Sequence, residues 1–107
     1  MTTFDQRKET FEKKFAHDEE LRFKATARRN KLLGLWAAEK LGLAGADAET
    51  YAKAVVVVDF EEAGDDDVFR KIRKDFDDKG LAVADTELRE KMVVLLEQAA
   101  AEIQAGR

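Results

Sequence analysis

Arg22, Lys24, Arg28, Arg29 and Lys31 place five cations within ten residues, with no acid among them. Guanidinium and ammonium groups at this density suit phosphate oxygens, as on a nucleotide, or an acidic protein surface. The competing account is a solvated helix face. Asp18 stands four residues before Arg22, and Glu20 four before Lys24, the order in which a helical ion pair is favourable. A nucleic-acid footprint does not follow. Phe23 is the one aromatic residue interleaved with these bases, and the net charge of the chain is -4.

A second group is acidic: Asp59, Glu61, Glu62, Asp65, Asp66 and Asp67. It lacks the alternating carboxylates, central Gly and distal bidentate Glu of a calcium loop, so helix capping and solvation account for it. His17 beside Asp18 has no Ser or Cys nucleophile in a catalytic motif to serve, and the chain has no Gly-rich phosphate loop. With no Cys and a single His, a thiolate nucleophile, a disulfide, a Cys-ligated zinc and a multi-histidine metal site are all excluded. No catalytic residue and no metal ligand is assigned; the chain reads as a non-enzyme.

The third pattern is apolar. Phe4, Phe11 and Phe15 are separated by seven and four residues, which puts them on one narrow stripe of a helix. Around them the segment is charged, with Arg7, Lys8, Lys13 and Lys14 among the bases. A free helix of this length is marginal in water, because nucleation is costly and no broad apolar face docks it. The expectation is a flexible arm over residues 1–19 that turns helical when a groove accepts the phenylalanines. The alternative is that the three rings dock on the body of the protein.

That body is expected over residues 20–107. A composition of 45% hydrophobic and 39% charged residues, without Pro, favours helix throughout. Gly42, Gly45, Gly64, Gly80 and Gly106 stand where helices would end in the left-handed conformation. Asp47, Asp65 or Asp66, and Asp85 stand where N-caps would begin them. The punctuation predicts helices over 20–41, 47–62, 66–79 and 85–104, with the Ala99–Ala101 tail fraying. Apolar stripes agree: Leu32, Leu33, Leu35 and Trp36; Tyr51, Val55, Val58 and Phe60; Val68, Phe69, Ile72 and Phe76; Leu88, Met92, Leu95, Ala99 and Ile103. Trp36 is read as a core anchor. The run Val55 to Val58 has strand character, but there is no second such run to pair with, so it reads as a helix packed on two sides. The fold class is all-α, a small four-helix bundle with a flexible N-terminal arm.

No apolar run approaches a membrane span, and the N-terminus lacks the apolar core of a signal peptide. A cytoplasmic protein is expected.

The segments MTTF, FAHDEELRFKATARRNKLLGLWAAEKLGL, GADAETYAKAVV and DFEEAGDDDVFRKIRKD together resemble the ζ subunit family, inhibitors of alphaproteobacterial F1FO-ATP synthase. The resemblance implies a four-helix body with a flexible inhibitory N-terminus that acts on the F1-ATPase catalytic subunits at an α/β/γ interface. On this chain the partner-binding residues would be Phe4, Arg7, Lys8, Phe11, Lys14 and Phe15. It also implies no resident cofactor, and weak ADP or ATP binding by the body, for which Arg22, Lys24, Arg28, Arg29 and Lys31 are the candidates. Two departures stand out. Ala63 replaces the usual Pro before Gly64, and Val57 and Val58 stand where small or polar residues are more common. The alternative function is a nucleotide-sensing or stress-related helical module without an ATP synthase role, which could lose residues 1–15 without consequence.

Overall fold

The computed structural model describes residues 19–61 and 65–106, all but the connections in helix. Expectations placed on residues 1–18, on Gly64 and on the Asp18–Arg22 pair lie outside the described residues. Within them four helices follow in order: α1 (Glu19–Lys40), α2 (Gly45–Glu61), α3 (Asp65–Lys79) and α4 (Asp85–Ala105), with no strand. The all-α bundle expected from the sequence is the observed fold. Val55 to Val58 lie within α2: Val55 is buried, Val56 and Val58 are half-buried, and Val57 is 49% exposed.

The longest helix, α1, is the axis of the bundle and packs along both α2 and α4, while α3 packs on α2 and more lightly on α4. Two helices end in the same way. The Leu43 N–H donates to the Ala38 carbonyl (2.9 Å) and the Gly42 N–H to the Glu39 carbonyl (3.1 Å), closing α1 in a Schellman turn. At the end of α3, Leu81 donates to Phe76 (2.9 Å) and Gly80 to Asp77 (3.0 Å). Gly42 and Gly80 sit at φ +82 and +76, which a residue with a Cβ adopts only under strain. The leucine after each glycine folds back onto the main core.

Several boundaries differ from expectation. Asp85 is the first residue of α4, not its cap; Ala84 holds the cap position and no side chain bonds the free N–H groups there. Asp47 lies inside the first turn of α2, and Asp65 opens α3. Both aspartates inside α2 and α4 still act favourably on the helix dipole, which needs only proximity to the N-terminus. Gly106 is right-handed at φ -79, so the last helix does not end in a left-handed glycine. Nor does the alanine tail fray: α4 runs to Ala105, with Ala99 and Ala100 buried.

The main core draws on every helix: Leu33, Ala37 and Leu41, then Val55, then Val68, Ile72 and Phe76, then Leu88, Met92 and Leu95. Trp36 is only partly buried at its edge, meeting Phe76 edge-on with ring centroids 5.8 Å apart. Its outer side faces the ammonium groups of Lys40 (5.2 Å) and Lys91 (5.8 Å), so the indole closes the core rather than filling it. A smaller cluster forms at the other end of α1, where Leu21 and Ala25 meet Leu96 and Ala100, with Ile103 alongside.

Polar contacts set the turns. Arg73 donates to the Val83 carbonyl, to Asp85 (3.1 Å) and to Asp77 (2.8 Å), tying the connection between α3 and α4. Arg89 lies 3.9 Å above the Phe69 ring and reaches Asp66 (3.0 Å), joining the same two helices at another point.

Candidate functional site

The arm residues Phe4, Arg7, Lys8, Phe11, Lys14 and Phe15 lie outside the described residues. What the structure places is their junction with the body. The segment leads into Glu19, the first residue of α1 as described, and that end is held to α4 by the small cluster of Leu21, Ala25, Leu96 and Ala100. Phe23, two residues beyond Leu21, is 60% exposed on α1. The charge of the first turn is acidic, from Glu19 and Glu20, which suits the positive end of the helix dipole.

The five bases from residue 22 to 31 do not form one surface. Lys24 pairs with Glu20 at 2.8 Å, the helical ion pair expected from their spacing. Arg28 reaches across to Glu102 of α4 at 3.4 Å. Lys24, Arg28 and Lys31 stand at intervals of four and three, one side of the helix, and all are exposed. Arg22 is exposed on a different side. Arg29 is neither solvated nor available: it is 1% exposed, and its Nε donates to Asn30 Oδ1 at 2.7 Å. Reading the run as a single face was therefore wrong at Arg29. A signal for this was present: Leu21, Ala25, Arg29, Leu33, Ala37 and Leu41 recur every fourth residue, so Arg29 occupies a place in an apolar row.

The described residues line at least two recesses on the body. The larger, about 630 Å³, is lined by Trp36 of α1 and by Thr86, Glu87, Glu90, Lys91 and Val94 of α4. Lys40 pairs with Glu87 at 3.6 Å beside it. Acids and bases are mixed there, so the recess does not select a ligand of one sign. The smaller, about 320 Å³, lies by Leu41, Leu43, Tyr51 and Asp75. Here the Tyr51 hydroxyl donates to Asp75 (2.7 Å), and Lys71 pairs with the same carboxylate (3.0 Å) while lying 4.9 Å from the Tyr51 ring centroid. Burial, and then the bond to Asp75 and its negative charge, push the Tyr51 phenol well above its ordinary range. A phenol held neutral in this way is a structural tie between α2 and α3, not a nucleophile.

Among the described residues no group of His, Cys, Asp or Glu is arranged to hold a metal ion, and no helix is long and apolar enough to cross a membrane. The acidic residues near the start of α3 are engaged in ion pairs, Asp66 with Arg89 and Asp67 with Arg70.

Residues 1–102 match the protein family described as ATPase inhibitor subunit zeta. The chain belongs to this family. The match begins at the first residue, so it takes in the phenylalanine-bearing segment as well as the bundle. Membership of the zeta family makes the protein a regulator of an ATPase and not a catalyst, with an ATP synthase or its F1 sector as its partner. The chain is also similar to a solved structure: a solution NMR structure 47% identical in sequence, matched over 81% of this chain and 99% of its own, with a TM-score of 0.71. No curated protein matches the chain.

Gly34 escaped sequence reasoning altogether. A Cβ built on it would stand 2.6 Å from the Ala52 Cα, so α1 and α2 cross there in backbone contact. The only signal was a lone glycine within a helical pattern, which marks close approach more often than a break.

Proposed function

We propose that this chain inhibits ATP hydrolysis by F1-ATPase by lodging its N-terminal segment, as a helix, at a catalytic interface of the α, β and γ subunits. The observation that carries the proposal is the extent of the family match, which includes residues 1–18 with their three phenylalanines on one helical stripe. In this mode Phe4, Phe11 and Phe15 fill an apolar groove, while Arg7, Lys8 and Lys14 face acidic groups at its rim. The four-helix body needs no chemistry. It carries the segment, adds bulk outside the cleft, and prevents the helix from passing through it.

A helix wedged between subunits opposes the closing motion that hydrolysis needs, whatever the nucleotide state of the neighbouring sites. The protein acts in the cytoplasm, where the F1 sector of a bacterial ATP synthase projects. The decisive experiment adds the purified chain, and a variant lacking residues 1–15, to F1-ATPase from the same source while hydrolysis is followed. The full chain is expected to inhibit and the shortened one to leave the rate unchanged although its bundle folds. Equal inhibition by both would overturn the proposal.

A further inference from the structure

Leu21, Ala25, Arg29, Leu33, Ala37 and Leu41 form one buried row along α1, apolar except at Arg29. The next residue, Asn30, is buried as well. The apolar side chains sort to either side of this polar layer. Leu33, Ala37 and Leu41 belong to the main core, and Leu21 and Ala25 to the small cluster with Leu96 and Ala100. Because Arg29 Nε can only donate, Asn30 must present its oxygen to it, which fixes the orientation of the amide. The Asn30 Nδ2 is then left buried without a hydrogen-bond partner.

A buried donor without a partner is destabilising when closed and is relieved when water reaches it. Among the described residues the small cluster has little to set against that relief: two helices supply it, and two of the four buried members are alanines. The ion pair that spans it, Arg28 with Glu102, is exposed on both sides and adds little. We propose that the Arg29–Asn30 layer divides the bundle into two units that open independently: residues 19–28 of α1 separate from Leu96 to Ile103 of α4 while the main core stays closed. The end that carries the N-terminal segment is thus a hinged end, and its position is free to change without unfolding the body. This inference concerns the free protein and does not rest on the proposed inhibitory mode.

Native-state amide hydrogen exchange of the full chain, followed by NMR across low urea concentrations, tests it. Amides of residues 23–28 and 98–103 are expected to share one opening, at least about tenfold faster than amides of Leu33, Ile72 and Met92 and less dependent on urea. The change should be a step at Arg29–Asn30, not the graded loss of protection of a fraying helix end. In Asn30→Leu, which makes the layer more apolar, the step should shrink. Exchange of residues 23–28 on the same isotherm as the main core would overturn the proposal, as would a graded profile or a step unchanged in a folded Asn30→Leu variant. Should that variant fail to fold, the urea dependence of the unaltered chain decides alone.

Discussion

The Cα of Ala52 stands 2.6 Å from the position a Cβ on Gly34 would occupy, which leaves no room for any side chain where α1 crosses α2. Helix propensity and packing therefore pull in opposite directions at one residue. Alanine is favoured over glycine within a helix by about 1 kcal/mol, but the obstructing atom is backbone and cannot rotate away. Overpacking of this kind costs about 1–3 kcal/mol, and pushing helices apart lies at the upper end. Gly34→Ala is expected to lower stability by a net 1–2 kcal/mol or so, read as a lower urea midpoint. A rise in the midpoint would show that the crossing is looser than described.

Phe76 and Trp36 touch edge-on, yet only Phe76 is fully enclosed. Phe76→Ala should cost about 3–5 kcal/mol, whereas Trp36→Ala, removing a ring already half in water, should cost about 2 kcal/mol. The order of the two, measured by denaturant unfolding, is the test. A larger loss at Trp36 would make the indole the true centre of the core.

Tyr51 gives the alkaline limb of stability its sign. Its phenol is held neutral in the folded protein by burial and by Asp75, so its folded pKa lies above the unfolded one. The unfolded chain then loses the proton first as pH passes about 10, and stability contributed below that pH is progressively lost above it. Comparing unfolding of the natural chain and Tyr51→Phe between pH 8 and pH 11 or so isolates this group from the lysines that titrate nearby. The phenylalanine variant is expected to show the shallower decline. Parallel curves would mean that Asp75 does not hold the phenol in solution.

Inhibition should follow the phenylalanine stripe more than the charge around it. Burial of one Phe contributes about 1.5–3 kcal/mol, against an ordering cost for the segment of about 1–2 kcal/mol per residue fixed. Loss of one ring removes about 1.5–3 kcal/mol of that burial, so Phe11→Ala or Phe15→Ala is expected to weaken inhibition by about tenfold or more. Lys13→Arg, which keeps the charge, should leave it within about twofold. Inhibition titrations with F1-ATPase distinguish the two. Equal effects would remove the groove from the account.

Nucleotide binding to the body now carries a sharper expectation. Lys24 and Arg28 already face carboxylates and Arg29 is enclosed, which leaves Arg22 and Lys31 on different sides of α1. ADP or ATP at about millimolar concentration should therefore move amide resonances diffusely, as weak screening of exposed charges does. Shifts that cluster and saturate over residues 22–31 would establish a site that the separate placement of these side chains does not suggest.

How much of this was legible follows from how local each feature is. The helices could be read from four-residue periodicity, and two of their ends from Gly42 and Gly80, because a Schellman turn is written within a few consecutive residues. Cap positions slipped by one to three residues, since an aspartate serves the dipole almost as well inside the first turn as before it. The contact of Gly34 with Ala52 was hidden because its partner lies on another helix. Arg29 was misread for a different reason. A charge was assumed to be outside, although its place in a row of leucines and alanines pointed inward. Of the proposed inhibitory surface, the stripe of phenylalanines was visible at once, because three rings on one face need no tertiary context to be noticed.

The chain contains one tryptophan, and the structure sets it where the core meets water, between Phe76 on one side and two lysine ammonium groups on the other. That makes the body its own optical probe. Indole emission responds to local polarity and to neighbouring charge, so loosening of the bundle registers as a change of colour without any label. The segment from Met1 to Glu19 contains no tryptophan and is silent at the same wavelength. A variant that stops inhibiting while its emission stays put has lost a contact with its partner, whereas one whose emission drifts has lost the platform that carries the contact.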